Sequence, residues 1–144
     1  MVKEIIILAS VLMFSFGCSN SKKAQQKKNE IKVFPVVLSN DFVTYSRNNT
    51  ETKILNAFIS DSTLTLNISY NGGCETHGFE LIGSKMIQKS YPPIRSVMLV
   101  HHSNNDDCRE LVEQELKFNV SKFKYSNSSI LLKLTGWKPM VELK

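Results

Sequence analysis

Thr63-Leu64-Thr65-Leu66-Asn67-Ile68-Ser69-Tyr70 is the stretch that decides the fold. Side chains alternate between faces along an extended chain, so Leu64, Leu66, Ile68 and Tyr70 line one face. Thr63, Thr65, Asn67 and Ser69 line the other. A helix, with a period near 3.6, would scatter the same apolar residues around its circumference. Asp61-Ser62 lies just before as a turn, and residues 53–60 read as another strand, so the two strands are expected to pair as a hairpin.

Outward from this hairpin the pattern stays mostly at period two. Residues 31–38 form an opening strand, with Pro35 placing it at an edge or a bulge because proline cannot donate to a ladder. Beyond Gly72-Gly73, residues 77–82 resume the alternation. Tyr91-Pro92-Pro93 leads rigidly into residues 94–101, which are apolar on both faces near their end and are therefore expected at the centre of a sheet. Residues 109–120 admit two readings. Glu110, Glu113, Gln114 and Glu115 are good helix formers, but Val112, Leu116, Phe118 and Val120 share one strand face with Gln114 as the exception, and strand is preferred. Residues 130–135 are a further strand, and Gly136-Trp137-Lys138-Pro139 turns the chain into 140–143. Seven or eight short strands separated by turn signals predict an all-β domain, an antiparallel sandwich or open barrel.

The N-terminus is of another kind. Lys3 precedes the apolar run Ile5 to Gly17, and Gly17 stands immediately before Cys18. The run is about 13 residues where a spanning helix needs roughly 20, so it reads as a secretory signal. Ser15-Phe16-Gly17-Cys18 resembles a bacterial lipobox, although leucine is more usual at the position of Ser15. The resemblance implies cleavage before Cys18 and a palmitate-bearing lipid on its thiol. An ordinary signal peptide with an incidental cysteine, and an uncleaved anchor, are the alternatives. Residues 19–30 contain Lys22, Lys23, Lys27 and Lys28 and almost nothing apolar, as expected of a flexible tether. Those lysines can lie on anionic headgroups or simply be solvated. The division is thus a signal at 1–17, a lipidated Cys18 with its tether at 18–30, and one domain at 31–144. The expected location is the bacterial envelope, on the periplasmic face of the outer membrane.

Net charge is +5, but the tether holds most of it, and no basic stripe interleaved with aromatics supports nucleic-acid binding. The sequence contains no phosphate-binding glycine loop, no Gly-x-Ser-x-Gly elbow and no His-Glu-x-x-His. Its unusual chemistry lies in two segments, Gly72-Gly73-Cys74-Glu75-Thr76-His77 and His101-His102-Ser103-Asn104-Asn105-Asp106-Asp107-Cys108. Each begins where a strand ends, and together they hold all three histidines. If those strand ends share an edge, the residues converge.

Tyr70, Gly72, Gly73, Cys74, His77, Phe79 and Leu81, then Tyr91-Pro92-Pro93, then Leu99, Val100, His101 and Cys108, resemble a group of small uncharacterised lipoproteins of Bacteroidota. The resemblance spans roughly residues 64–137 and brings no activity with it. From the residues themselves two exclusive readings follow. Cys74 and Cys108, an even pair in an exported chain, form a disulfide. Alternatively Cys74, His77, His101 and Cys108 bind tetrahedral zinc, with Cys-x-x-His as one half of the site. A thiolate nucleophile beside an imidazole, acid/base roles for Glu75, Asp106 and Asp107, and a ligand platform at Trp137 rank below these. Trp137 more simply caps a hairpin core. Two functions result: a non-catalytic binding or structural envelope module acting on another protein, or a zinc-binding protein.

Overall fold

The computed structural model describes residues 32–47 and 51–144; the signal, Cys18 and the tether lie outside the described residues. The described chain runs β1 (Val33–Phe34), β2 (Val36–Ser39), α1 (Phe42–Arg47), β3 (Lys53–Ser60), β4 (Thr63–Gly72), β5 (Gly78–Gln88), β6 (Ile94–His102), β7 (Glu110–Asn119), a 3-10 turn (Ser121–Phe123), β8 (Ile130–Leu134) and β9 (Val141–Leu143). Two sheets form the sandwich, one ordered β1-β7-β4-β3 and the other β2-β5-β6-β8-β9.

β4 behaves as its alternation requires. Leu64, Leu66 and Ile68 are fully buried between the sheets with Leu81, Leu116, Phe118, Ile130 and Leu132. Its polar face is partly covered as well. Thr65 stands between Phe58 and Lys117, and Ser69 between Lys53 and Glu113, so longer cross-strand neighbours shield these short side chains. The β3–β4 hairpin closes through Asp61, whose φ of 55° supplies the left-handed conformation that a tight hairpin turn needs.

Residues 109–120 are strand over Glu110–Asn119, antiparallel to β4. The exceptional Gln114 on its apolar face has a partner, since its side-chain oxygen accepts the Tyr70 hydroxyl proton at 3.1 Å. β6 is central, as expected, and the reason is a second small core. Val97 and Leu99 face the main core, whereas Met98 and Val100 pack with Ile82 beneath Phe42 and Tyr45 of α1. This helix has no counterpart among the elements expected from the sequence.

Two features of the opening differ from expectation. Strand 31–38 is divided at Pro35: β1 joins one sheet beside β7 and β2 joins the other beside β5. Proline has no N–H to continue a ladder, while its carbonyl still accepts from Leu81 N at 3.0 Å, so the chain changes sheets there. Both new pairings are parallel, as is β6 with β8, so the sheets are mixed rather than purely antiparallel. Alternation assigns side chains to faces but carries no information on the direction of the neighbouring strand.

Candidate functional site

The two unusual segments are the two connections that cross between sheets at one end of the sandwich. Residues 73–77 carry the chain from β4 to β5, and residues 103–109 carry it back from β6 to β7. Cys74 and Cys108 are joined by a disulfide across these loops, with Cα atoms 5.9 Å apart and a sequence separation of 34. The expected convergence therefore occurs, across the two sheets rather than along one edge.

Asp106 is the hub. One carboxylate oxygen accepts the backbone N–H groups of Cys74 and Glu75, each at 3.0 Å, and the other accepts that of Cys108 at 2.9 Å. The first oxygen also lies 3.0 Å from His77 Nε2. Although its loop is at the surface, the Asp106 side chain is almost wholly covered. The N–H groups of Glu75 and Cys108, followed by His77 and Cys74, hold its carboxyl well below the usual carboxylate range against the opposing effect of burial. Asn104 adds a link from the same loop, its amide donating to Thr76 O at 2.6 Å.

From Asp106 a line of polar contacts runs inward. His77 Nδ1 lies 2.6 Å from His101 Nε2, and His101 Nδ1 lies 2.7 Å from Thr52 Oγ1. His101 is fully buried, and desolvation first, then the neighbouring His77 and His102, push its pKa down to about 4, so it is neutral at pH 7. One neutral arrangement satisfies every contact: Thr52 donates to His101, His101 to His77, and His77 to the ionised Asp106. Aromatic rings enclose the line. Phe79 stacks on His101 with centroids 4.6 Å apart, and Tyr70 lies 4.6 Å from His77 and 4.7 Å from His101. Burial, then the nearby Asp106 charge, raises the Tyr70 pKa.

Glycine makes room for this arrangement. A Cβ on Gly72 would lie 2.5 Å from His77 Cε1, and Gly73 adopts a φ of +110°, a conformation that other residues rarely take.

Of the expected site residues, Cys74, His77, His101 and Cys108 do come to one place, but in two separate contacts. The cysteines bond to each other near the surface, and the imidazoles bond to each other beneath. In the bridged form the sulfurs offer no thiolate. Two nitrogens bound to one tetrahedral zinc would stand about 3.3 Å apart, more than the histidine pair shows. Asp107 and Glu75 are exposed on the loops. Trp137 packs against the core, with its indole N–H buried and without a partner among the described residues. Asp106 in its present role and Thr52 were not foreseen. The bond from Cys108 N to a side chain two residues earlier is an Asx turn, and Asn-Asn-Asp-Asp before Cys108 was the signal for it.

Fold and site together define a small β-sandwich whose inter-sheet loops are tied at one end by a disulfide and a buried polar line. No protein-family model and no curated protein matches the sequence. Solved structures share the fold. A protein of unknown function DUF1344 from Bacteroides vulgatus aligns with a TM-score of 0.55 at 19% identity, over 78% of this chain and 54% of its own. A NigD-like immunity protein from Bacteroides caccae aligns with a TM-score of 0.53 at 16% identity, over 76% of this chain and 58% of its own. The chain thus spans little more than half the length of these structures, and at such identity the likeness is one of fold.

Proposed function

We propose that the protein is an exported lipoprotein of the bacterial envelope, anchored through Cys18 to the periplasmic face of the outer membrane, and that its sandwich is a non-catalytic module binding another envelope protein. The observation that carries the binding role is the double fastening of the crossing loops, by the Cys74–Cys108 bond and by the three backbone N–H groups on Asp106. Loops fixed before a partner arrives lose less conformational freedom on binding. They present Glu75, Thr76, Asn104, Asn105 and Asp107 to solvent while both buried imidazoles are engaged inside. The fold is shared with a protein described as NigD-like immunity protein, which favours an immunity-like or inhibitor-like role.

Two experiments test this reading. Labelled palmitate enters the wild-type chain and not Cys18→Ser; equal labelling removes the anchor. A partner captured stoichiometrically from envelope extracts is lost when Glu75→Arg and Asp107→Arg are combined, and undiminished capture removes the loops as the binding surface.

A second reading applies to the reduced chain, in which Cys74, His77, His101 and Cys108 bind zinc. What favours a metal there is that the Cys74 and Cys108 sulfurs and an Asp106 oxygen lie within 4.8 Å of one another, although this group of donors contains neither histidine and His77 stands behind it, bonded to Asp106. Two free thiols with one equivalent of zinc in the purified chain support it, and no free thiol removes it.

A further inference from the structure

The opposite end of the sandwich carries a groove that the disulfide-tied loops do not touch. It lies between the β5–β6 connection and the turn at residues 124–129, with a volume of about 480 Å³. Ile87 and Pro93 supply apolar lining, Tyr91 and Tyr125 the aromatic lining, and Lys85 and Lys89 the charge; among the described residues no carboxylate lines it.

Both tyrosines stand on fixed backbone. Ser90 N donates to Gln88 O at 3.0 Å, Ser90 Oγ to Pro92 O at 2.7 Å, and Leu131 N to Pro93 O at 2.9 Å, which pins the Tyr91 loop to β5 and β8. Tyr125 pairs with Ser128 across a tight turn in which Ser126 has a φ of 56°. Even so, Tyr91 is fully exposed and Tyr125 more than half exposed. Exposed rings on such loops offer a partner both apolar area and a hydroxyl, the combination that enriches tyrosine at interfaces.

The neighbouring backbone is open in part, with Met86 N held by Ser84 Oγ at 3.1 Å and Gln88 O by Ser90 N. β2 pairs with β5 only as far as Ser84, so among the described residues no strand continues beside Lys85–Gln88 on that side. An extended peptide can add to such an edge through main-chain hydrogen bonds, with alternate side chains reaching into the groove. The lysines select carboxylates, and the tyrosines and Ile87 accept apolar side chains between them. A membrane surface would suit the exposed tyrosines and lysines too, but it would use neither a recessed groove nor an open strand edge.

We infer that this groove is a second binding site, taking an extended acidic peptide segment of a partner protein with alternating carboxylate and apolar side chains. The probe is fluorescein-labelled (Glu-Val)4, titrated against the full chain in neutral detergent and followed by anisotropy. The expected result is saturable binding that weakens at least tenfold in Tyr91→Ala and in the Lys85→Glu, Lys89→Glu double variant, and that also weakens with added salt. Tyr91 and both lysines are exposed, so these variants keep the fold, and an unchanged melting temperature verifies it. Absence of saturable binding, equal binding of (Lys-Val)4, or equal binding by the variants overturns the inference. Sedimentation with phosphatidylglycerol vesicles is the competing measurement. If the full chain lacking Cys18 lipid (Cys18→Ser) binds vesicles through these same residues while the peptide does not bind, the face is a membrane surface and the inference is wrong.

Discussion

The two ends of this sandwich are stabilised by different means. At one end, two loops crossing between sheets are fixed by a covalent bond and by a buried line from Asp106 through His77 and His101 to Thr52. At the other end, order comes from neutral backbone turns and from one buried cation. Arg95 Nε donates to Phe123 O at 3.0 Å and its Nη1 donates to Ser84 O, which secures the 3-10 turn against β5 and β6. Phe123 fits there because Gly83 has no side chain; a Cβ would stand 2.5 Å from its ring. The first end therefore depends on redox state and pH, whereas the second depends on packing and on carbonyl–guanidinium contacts. One end of the sandwich responds to acid and reductant, and the other does not.

The largest expected effect comes from cutting the covalent tie. Cys74→Ser with Cys108→Ser, or reduction, should lower unfolding stability by about 4 kcal/mol on chain-entropy grounds, as measured by urea titration. β spectra should persist, because Leu64, Leu66, Ile68 and Phe118 bury their side chains without it. Unchanged stability would break the distinction between the ends.

Acid comes next. A His101 pKa near 4 in the folded chain lies below the ordinary 6.5, so the unfolded chain binds the extra proton between those values. Stability is full above pH 6.5 and falls progressively toward pH 4, by about 3 kcal/mol. Asp106, also held low, extends the loss in the same direction as pH drops below the normal carboxylate range. Thermal melts across pH 7 to 4 measure the histidine part, melts continued below pH 4 add the Asp106 part, and hydrogen exchange locates both. Residues 73–77 and 103–109 should lose protection before the Tyr91 loop; uniform loss would contradict a localised response.

The smallest effect belongs to the other end. Arg95→Met leaves Ser84 O and Phe123 O without their donor and should cost about 2 kcal/mol. Because burial already lowers the Arg95 pKa, the guanidinium gives up part of its solvation in the native state, which keeps the net loss modest. Combined with the cysteine variants, the losses should add within about 0.5 kcal/mol, since the sites share no partner. A larger coupling, read from the double-variant urea curve, would show that the ends communicate.

The sequence made some of this comparison legible. The alternation of Thr63–Tyr70 announced β4 and its hairpin, and the two-faced apolar run ending at Val100 announced a central strand, because both signals are local. Cys74 and Cys108 suggested a tie because an even pair of cysteines behind an expected export signal is first expected to bridge. What stayed hidden was relational. Val33–Phe34 and Val36–Ser39 look like one strand, and only tertiary pairing shows that they serve two sheets. Asp106 looked like one solvated acid among several in a polar loop; its turn to Cys108 N had a local signal, but no local pattern says that the same carboxylate will collect the N–H groups of Cys74 and Glu75 from a distant segment. Gln114 broke the apolar face of β7 for a reason lying on another strand, the hydroxyl of Tyr70.

The division at Pro35 has a mechanical consequence. β1 is hydrogen-bonded into one sheet and β2, two residues later, into the other. Tension applied to the chain upstream of Lys32 reaches both ladders through that single segment. Pulling the segment free means rupturing first the two-residue pairing of β1 with β7 and then the four-residue pairing of β2 with β5. The terminus is thus fastened twice, much as a seam is stitched through both layers of a fabric.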